Sequence, residues 1–381
     1  MRISQIYNVY MERNMNIYEA AQKYNPEKYA RACCDTMMRR FEAQKLPPEG
    51  RFHYHQGVFL SGMYRTYVLT GDEKYYNYIK AWVDSTIDEK GNIKLYDKGQ
   101  MDDIEPGVLL YPIYERTGDM RYKKALDTLI LDMESYPRNE DGGYWHKAWC
   151  EGEMWLDGLY MGGPITAHYG SAFEKPEWFD MVAKQVKLMK EHTQDKATGL
   201  WRHAWDINKK AVWADPVTGQ SPEFWGRSLG WVPMAILDDL RYIPEYHKDY
   251  DELVNIMREL LENICRYQSD EGRWYQVVDK GGQKGNWLEN SCSCLFVAAI
   301  CRAVKKGFLP ESYLDIAAKG YAAVNDSLTW NGEDLIIGNI CIGTGVGDYD
   351  FYCARPTCEN DLHGSGAYLL MCAAVLDAVR Q

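Results

Sequence analysis

The sequence repeats itself, and the repeat limits the fold more than any single residue does. Thr70-Gly71-Asp72-Glu73-Lys74-Tyr75 is echoed by Thr117-Gly118-Asp119-Met120-Arg121-Tyr122. Each copy follows an apolar stretch and opens an amphipathic one. Gly suits the left-handed residue just past a helix and Asp the cap of the next, so each copy reads as a helix–turn–helix hinge. A second signal recurs at Gly50/Phe52, Gly91/Ile93, Gly143/Trp145, Gly199/Trp201 and Gly272/Trp274, a Gly with an apolar residue two positions later. Each of these reads as a turn into a short strand.

Between the hinges the helices are of two kinds. Residues 249–267 carry Leu253, Ile256, Met257, Leu260, Leu261 and Ile264 on one side and charges on the other, the pattern of a surface helix. Similar outer helices fit 25–44, 72–88, 119–135, 175–193 and 310–328. The segments 56–70, 103–117, 154–170, 225–240, 287–305 and 363–379 are apolar nearly all round and rich in small residues, so they are buried. Alternation at a period of about 50 to 75 residues makes six hairpins. An open solenoid competes with a closed ring. Closure is favoured because the last inner helix, beginning Gly364-Ser365-Gly366-Ala367, is too apolar to serve as a cap. The expected fold is all-α, an (α/α)6 barrel with short strands and loops at one mouth, in a single domain over 1–381.

Composition excludes several function classes. With 43 basic against 55 acidic residues and a net charge of −12, no basic surface for nucleic acid is expected. No apolar run in the sequence approaches membrane-spanning length, and Met1-Arg2-Ile3-Ser4-Gln5-Ile6-Tyr7-Asn8-Val9-Tyr10 has no secretion-signal core. The 11 cysteines lack metal-site spacing and read as reduced thiols of a cytoplasmic protein. The 13 Trp and 29 Tyr suit sugar rings as well as cores.

Strict alternation makes all six inner helices parallel, so their N-termini gather at one mouth with the loops that precede them. That end favours an anion. The residues there are His53-Tyr54-His55-Gln56, Asp102-Asp103, Tyr144-Trp145-His146-Lys147, Met154-Trp155-Leu156-Asp157-Gly158, His203 with Trp205, Trp225-Gly226-Arg227, Trp287-Leu288-Glu289-Asn290 and Asn360-Asp361-Leu362-His363. Aromatics that stack and polar groups that specify mark a sugar site. Asp102 or Asp103 also suits a helix cap. Asp157 lies one turn into an apolar helix on this reading, where an unpaired carboxylate is costly. Arg227 at a helix N-terminus opposes the dipole and calls for an anion to hold. His53 and His55 lack a nearby third ligand, so no metal is expected.

Met154-Trp155-Leu156-Asp157-Gly158-Leu159-Tyr160-Met161-Gly162-Gly163-Pro164 resembles the signature of unsaturated rhamnogalacturonyl hydrolases, glycoside hydrolase family 105. Trp225-Gly226-Arg227-Ser228-Leu229-Gly230-Trp231 and Asn360-Asp361-Leu362-His363-Gly364-Ser365-Gly366-Ala367 do likewise. The likeness runs from about residue 50 to the C-terminus; family 88, the unsaturated glucuronyl hydrolases, is more distantly similar. The resemblance implies a catalytic Asp157 that protonates C4 of a 4,5-unsaturated galacturonyl residue, with Asp102 as second carboxylate. It implies substrate contacts from Tyr54, Asp103, Lys147, Trp155, Met161, His203, Trp225 and Arg227, and neither metal nor organic cofactor. A like-charged Asp102 is expected to keep Asp157 protonated. Ser228-Leu229 departs from the small residues expected after Arg227.

The expected function is cleavage of rhamnogalacturonan-derived oligosaccharides in pectin degradation, by a protein favoured as a monomer. The rivals are an unsaturated glucuronyl hydrolase of glycosaminoglycan fragments, a non-catalytic oligosaccharide-binding toroid, and a sugar 2-epimerase relying on paired histidines.

Overall fold

The computed structural model describes residues 15–380. The N-terminal segment read above for a secretion signal lies outside the described residues. Outer helices span Pro26–Arg40, Glu73–Thr86, Met120–Ser135, Glu177–Thr193, Tyr250–Cys265 and Tyr313–Asp326. They alternate with inner helices at Tyr54–Thr70, Leu110–Thr117, Asp157–Ala172, Gly226–Asp239, Asn290–Lys305 and Leu362–Val379. Each inner helix packs beside the next, the second through its leading turn Glu105–Leu109, and Leu362–Val379 lies against both Asn290–Lys305 and Tyr54–Thr70. The ring is closed. The fold is an (α/α)6 barrel.

The two helix kinds follow from their patterns. Tyr250–Cys265 buries Leu253, Ile256, Met257, Leu260, Leu261 and Ile264 along one face, whereas every residue of Gly226–Asp239 is buried. Full burial of each such aliphatic side chain contributes about 1.5–3 kcal/mol before chain entropy is subtracted. Closure depends on small residues. A Cβ on Gly366 would lie 2.6 Å from the Val58 carbonyl oxygen, and one on Gly62 2.6 Å from Leu369 Cβ. First and last inner helices therefore meet almost backbone to backbone. Contrary to the reading that no run approaches membrane-spanning length, Leu362–Val379 is long and apolar enough to cross a membrane, but 78% of it is buried inside the protein.

The hinges form as expected. Gly71 and Gly118 end their helices in the left-handed region, and Asp72 and Asp119 accept from the backbone N–H groups of Lys74 and Arg121. The expected short strands are mostly single bridges. Trp274–Tyr275 is a strand, Ile93 and Trp201 pair at isolated bridges, and Phe52 does not pair. In the third turn Gly142 takes the positive φ and Tyr144 the bridge, one residue earlier than expected.

Three inner helices start clearly later than their apolar patterns suggest, the fifth at Asn290 because Leu288 and Glu289 pair with Tyr275 and Trp274 as a strand. Residues 153–155 form a strand instead of helix, because Met154 pairs with Trp205 and Trp155 with Ala204. Asp157 is consequently the first residue of its helix, not a turn inside it. The second inner helix opens as 3-10 turns at Met101–Asp103 and Glu105–Leu109. Pro106 has no N–H to donate to an α-helical ladder there.

Candidate active site

The N-terminal mouth opens into a cavity of about 310 Å³, lined among others by Tyr54, Asp102, Lys147, Trp155, Asp157 and Trp225. The Glu153–Trp155 and Ala204–Asp206 ladder sets its chemistry. Leu156 N–H donates to the His203 carbonyl at 2.9 Å, which brings the side chains of the flanking residues together. His203 Nε2 lies 2.9 Å from Asp157 Oδ2, and its Nδ1 lies 2.6 Å from the Tyr352 hydroxyl. Gly347 N–H donates to that hydroxyl at 3.3 Å. One direction of donation satisfies all these atoms: Tyr352 O–H to Nδ1, then Nε2–H to an ionised Asp157.

Burial pushes the Asp157 carboxyl up, but His203 and His146 outweigh it, and the net displacement is downward. Asp102 behaves alike. Burial raises it, while His146 at 3.5 Å, Lys147 at 3.3 Å and His53 pull it down further. The expectation that Asp102 keeps Asp157 protonated is therefore corrected for the free enzyme: the surrounding cations and imidazoles dominate over the like charge. The position at a helix N-terminus acts in the same direction.

The remaining expected residues divide between the cavity and its supports. Of the two adjacent aspartates, Asp102 faces the cavity. Asp103 turns away to Arg51 at 3.3 Å and to the Asp97 N–H, and burial lifts its carboxyl to about 7. Trp155 stacks on His146 with centroids 4.4 Å apart, and its indole N–H donates to Glu153. Trp225 donates to Gln276 and lies nearly parallel to Tyr352. Met161 is 1% exposed in the core and does not line the cavity. His203 has no exposure and supports Asp157 from behind.

Arg227 is the clearest departure. Its guanidinium does not line the cavity; it donates to the Cys341 carbonyl at 2.7 Å, the Ile342 carbonyl at 2.9 Å and Ser291 Oγ at 3.3 Å. Glu289, fully buried, lies 3.9 Å away. The anion that Arg227 called for is thus a protein carboxylate, and its task in this structure is to clamp the segment that roofs the cavity. That roof supplies a cation the sequence reading missed. Arg355 and Thr344 line the cavity, Arg355 donates to the Gly343 carbonyl at 2.6 Å, and Arg355 Nε and Thr344 Oγ1 have no hydrogen-bond partner among the described residues. The run Gly343-Thr344-Gly345-Val346-Gly347 was the available signal.

One donor set could hold a metal beside the cavity. His55, Asp361 and His363 offer ligand atoms within 4.8 Å of one another. His363 Nε2 lies 3.0 Å from the Cys341 carbonyl and Nδ1 2.6 Å from an Asp361 carboxylate oxygen. Burial pushes His53 and His55 down to about 4 and about 3. None of the 11 cysteines is paired.

Two carboxylates, flanking cations and indole walls at the mouth of a six-hairpin toroid define a carbohydrate-cleaving enzyme. The chain belongs to glycosyl hydrolase family 88, whose family model matches residues 29–379. It is also similar to a solved Clostridium acetobutylicum (C. acetobutylicum ATCC 824) glycoside hydrolase from family 105, at 31% identity and a TM-score of 0.87, covering 92% of this chain and 99% of that one. The unsaturated rhamnogalacturonyl hydrolase YesR of Bacillus subtilis (strain 168) is 26% identical over 76% of this chain and 79% of its own length. An unsaturated 3S-rhamnoglycuronyl hydrolase of Alteromonas sp. (strain LOR) is 22% identical over 88% of this chain and 80% of its own.

Proposed function

We propose that the protein removes a 4,5-unsaturated galacturonyl residue from rhamnogalacturonan-derived oligosaccharides, in the cytoplasm, as a step of pectin breakdown. The observation that carries this reading is Asp157 and Asp102 facing one cavity with Lys147 and Arg355. The cations take the uronate carboxylate, against a global field that repels anions. Asp157, once protonated, gives its proton to C4 of the enol ether. Positive charge develops at C5 and the ring oxygen, and water adds at C5. The water's proton returns to the Asp157 carboxylate, so the acid is regenerated. The hemiketal then opens and the aglycone departs. His203 and Tyr352 position Asp157 throughout. The family likeness supports the reaction type, and the unpaired thiols support the compartment.

The bound carboxylate also supplies what the free enzyme lacks. Added to that of Asp102, its negative charge beside Asp157 raises the proton affinity of Asp157, so substrate prepares its own acid. A second reading, action on glycosaminoglycan fragments, draws on Arg355, a cation beyond Lys147 that would suit a sulfated neighbour. Rates on unsaturated rhamnogalacturonan and chondroitin disaccharides, followed by loss of the unsaturated uronate's ultraviolet band, separate the two. Faster consumption of the chondroitin disaccharide overturns the rhamnogalacturonan reading.

A further inference from the structure

The opposite end of the barrel holds a second cavity unrelated to the carboxylate pair. Two adjacent spaces of about 310 and about 290 Å³ share Arg65, Arg241 and Leu370 in their walls. Arg65, Arg241 and Arg302 all converge on a single oxygen, Asp238 Oδ1, at 3.3, 3.7 and 2.7 Å. Asp238 is the carboxylate these three guanidiniums share, while Glu115 and Asp377 stand elsewhere in the walls. Arg65 is a third exposed, and desolvation, reinforced by repulsion from Arg241 and Arg302, lowers its proton affinity despite Asp238. Each guanidinium carries five N–H donors, and most here meet no described acceptor.

The rest of the wall indicates the size and kind of ligand. Tyr64, Tyr160 and Tyr242 line the first space, Tyr160 stacked on Trp231 and Tyr242 on His168, and the space is large enough for one sugar ring. Glu105, 1% exposed, has Oε2 without a partner at the same wall. Burial holds its carboxyl well above the usual range, so it is a neutral donor and acceptor suited to a hydroxyl. The six inner-helix C-termini also end at this mouth, and their partial negative charges are the alternative reason for a cationic cluster. That alternative explains neither the open space nor the unpartnered Glu105.

We propose that this rear cavity binds a small hydroxylated carboxylate of the uronic-acid class, with Arg65 and Arg241 on its carboxylate. The proposal does not depend on the chemistry assigned to the front mouth. It is tested by calorimetric titration of the full chain with D-galacturonate, with D-galactose and inorganic phosphate as comparison probes. Arg241→Gln, on a side chain that is 38% exposed, should weaken galacturonate binding about tenfold or more, as expected for loss of a charge-assisted contact, while turnover of unsaturated substrate stays unchanged. Arg241→Lys should restore part of the affinity. Arg355→Gln, at the front, should leave this component intact. No galacturonate component that depends on Arg241 means the cluster serves only the helix ends, and the proposal fails. Phosphate binding as tightly as galacturonate, with the same dependence on Arg241, overturns the uronate class.

Discussion

Replacing Arg227 by Met tests whether that cation holds the roof or the substrate. The guanidinium is 1% exposed and donates to two roof carbonyls and Ser291, with Glu289 beside it. Removing one member of a buried pair costs about 3–5 kcal/mol. Glu289 retains bonds from Ser291 Oγ and from the N–H groups of Cys292 and Cys341, so the lower end applies. Unfolding entropy of about 2.1 cal/mol/K per residue gives roughly 0.8 kcal/mol/K for this chain, and a loss of about 3 kcal/mol lowers Tm by about 4 °C. The assay is differential scanning calorimetry beside steady-state kinetics. Arg227→Met should lower Tm by that amount and lower kcat through a displaced roof. Arg355→Ala should leave Tm nearly unchanged and raise KM, because Arg355 lines the cavity and its Nε has no partner among the described residues. A large rise in KM for Arg227→Met at unaltered Tm would refute the clamp and return Arg227 to the substrate.

Asp157→Asn should cut turnover by about 10²–10⁴-fold with substrate binding and Tm retained, since the amide keeps shape but cannot deliver a proton; activity near that of the unaltered enzyme removes Asp157 as the acid. Because the free Asp157 carboxyl sits below its ordinary value, its protonated fraction grows as pH falls, so kcat/KM should rise toward acid and decline as pH increases. The bound uronate shifts that proton upward, so the descending limb of kcat should lie at higher pH than that of kcat/KM; a kcat/KM that climbs with pH would point to a base in place of an acid. Turnover should survive exhaustive chelation, and loss with EDTA reversed by one divalent ion would place a working metal at His55, Asp361 and His363.

What the sequence disclosed and what it concealed divide along the chain's own range of interaction. The Thr-Gly-Asp hinges act over a few residues, and helical periodicity over a turn or two, so the alternation and closure of the ring were readable. Asp157 at a helix start was not, because the strand that displaces the helix depends on Trp155 meeting Ala204, far along the chain. The same distance hid the role of Arg227. Its charge was plain, but Glu289 and the carbonyls of Cys341 and Ile342 come from the last third of the chain. Arg355 was missed because the glycine-rich segment before it carries no periodicity. His55, Asp361 and His363 come together only when the ring closes.

The near contact of Gly62 with Leu369 and of Gly366 with Val58 bears on how such a chain reaches its native state. These are pairings between the first inner helix and the last, so the loop they close spans most of the chain and is entropically slow to form. A solenoid missing its final repeat keeps its other interfaces. This ring, short of residues 362–379, leaves an apolar seam on both Tyr54–Thr70 and Asn290–Lys305. During synthesis that seam stays open until residues 362–379 have left the ribosome, and until then its apolar surface is exposed to aggregation. Truncation at the C-terminus should therefore abolish soluble protein abruptly, with no graded loss of stability.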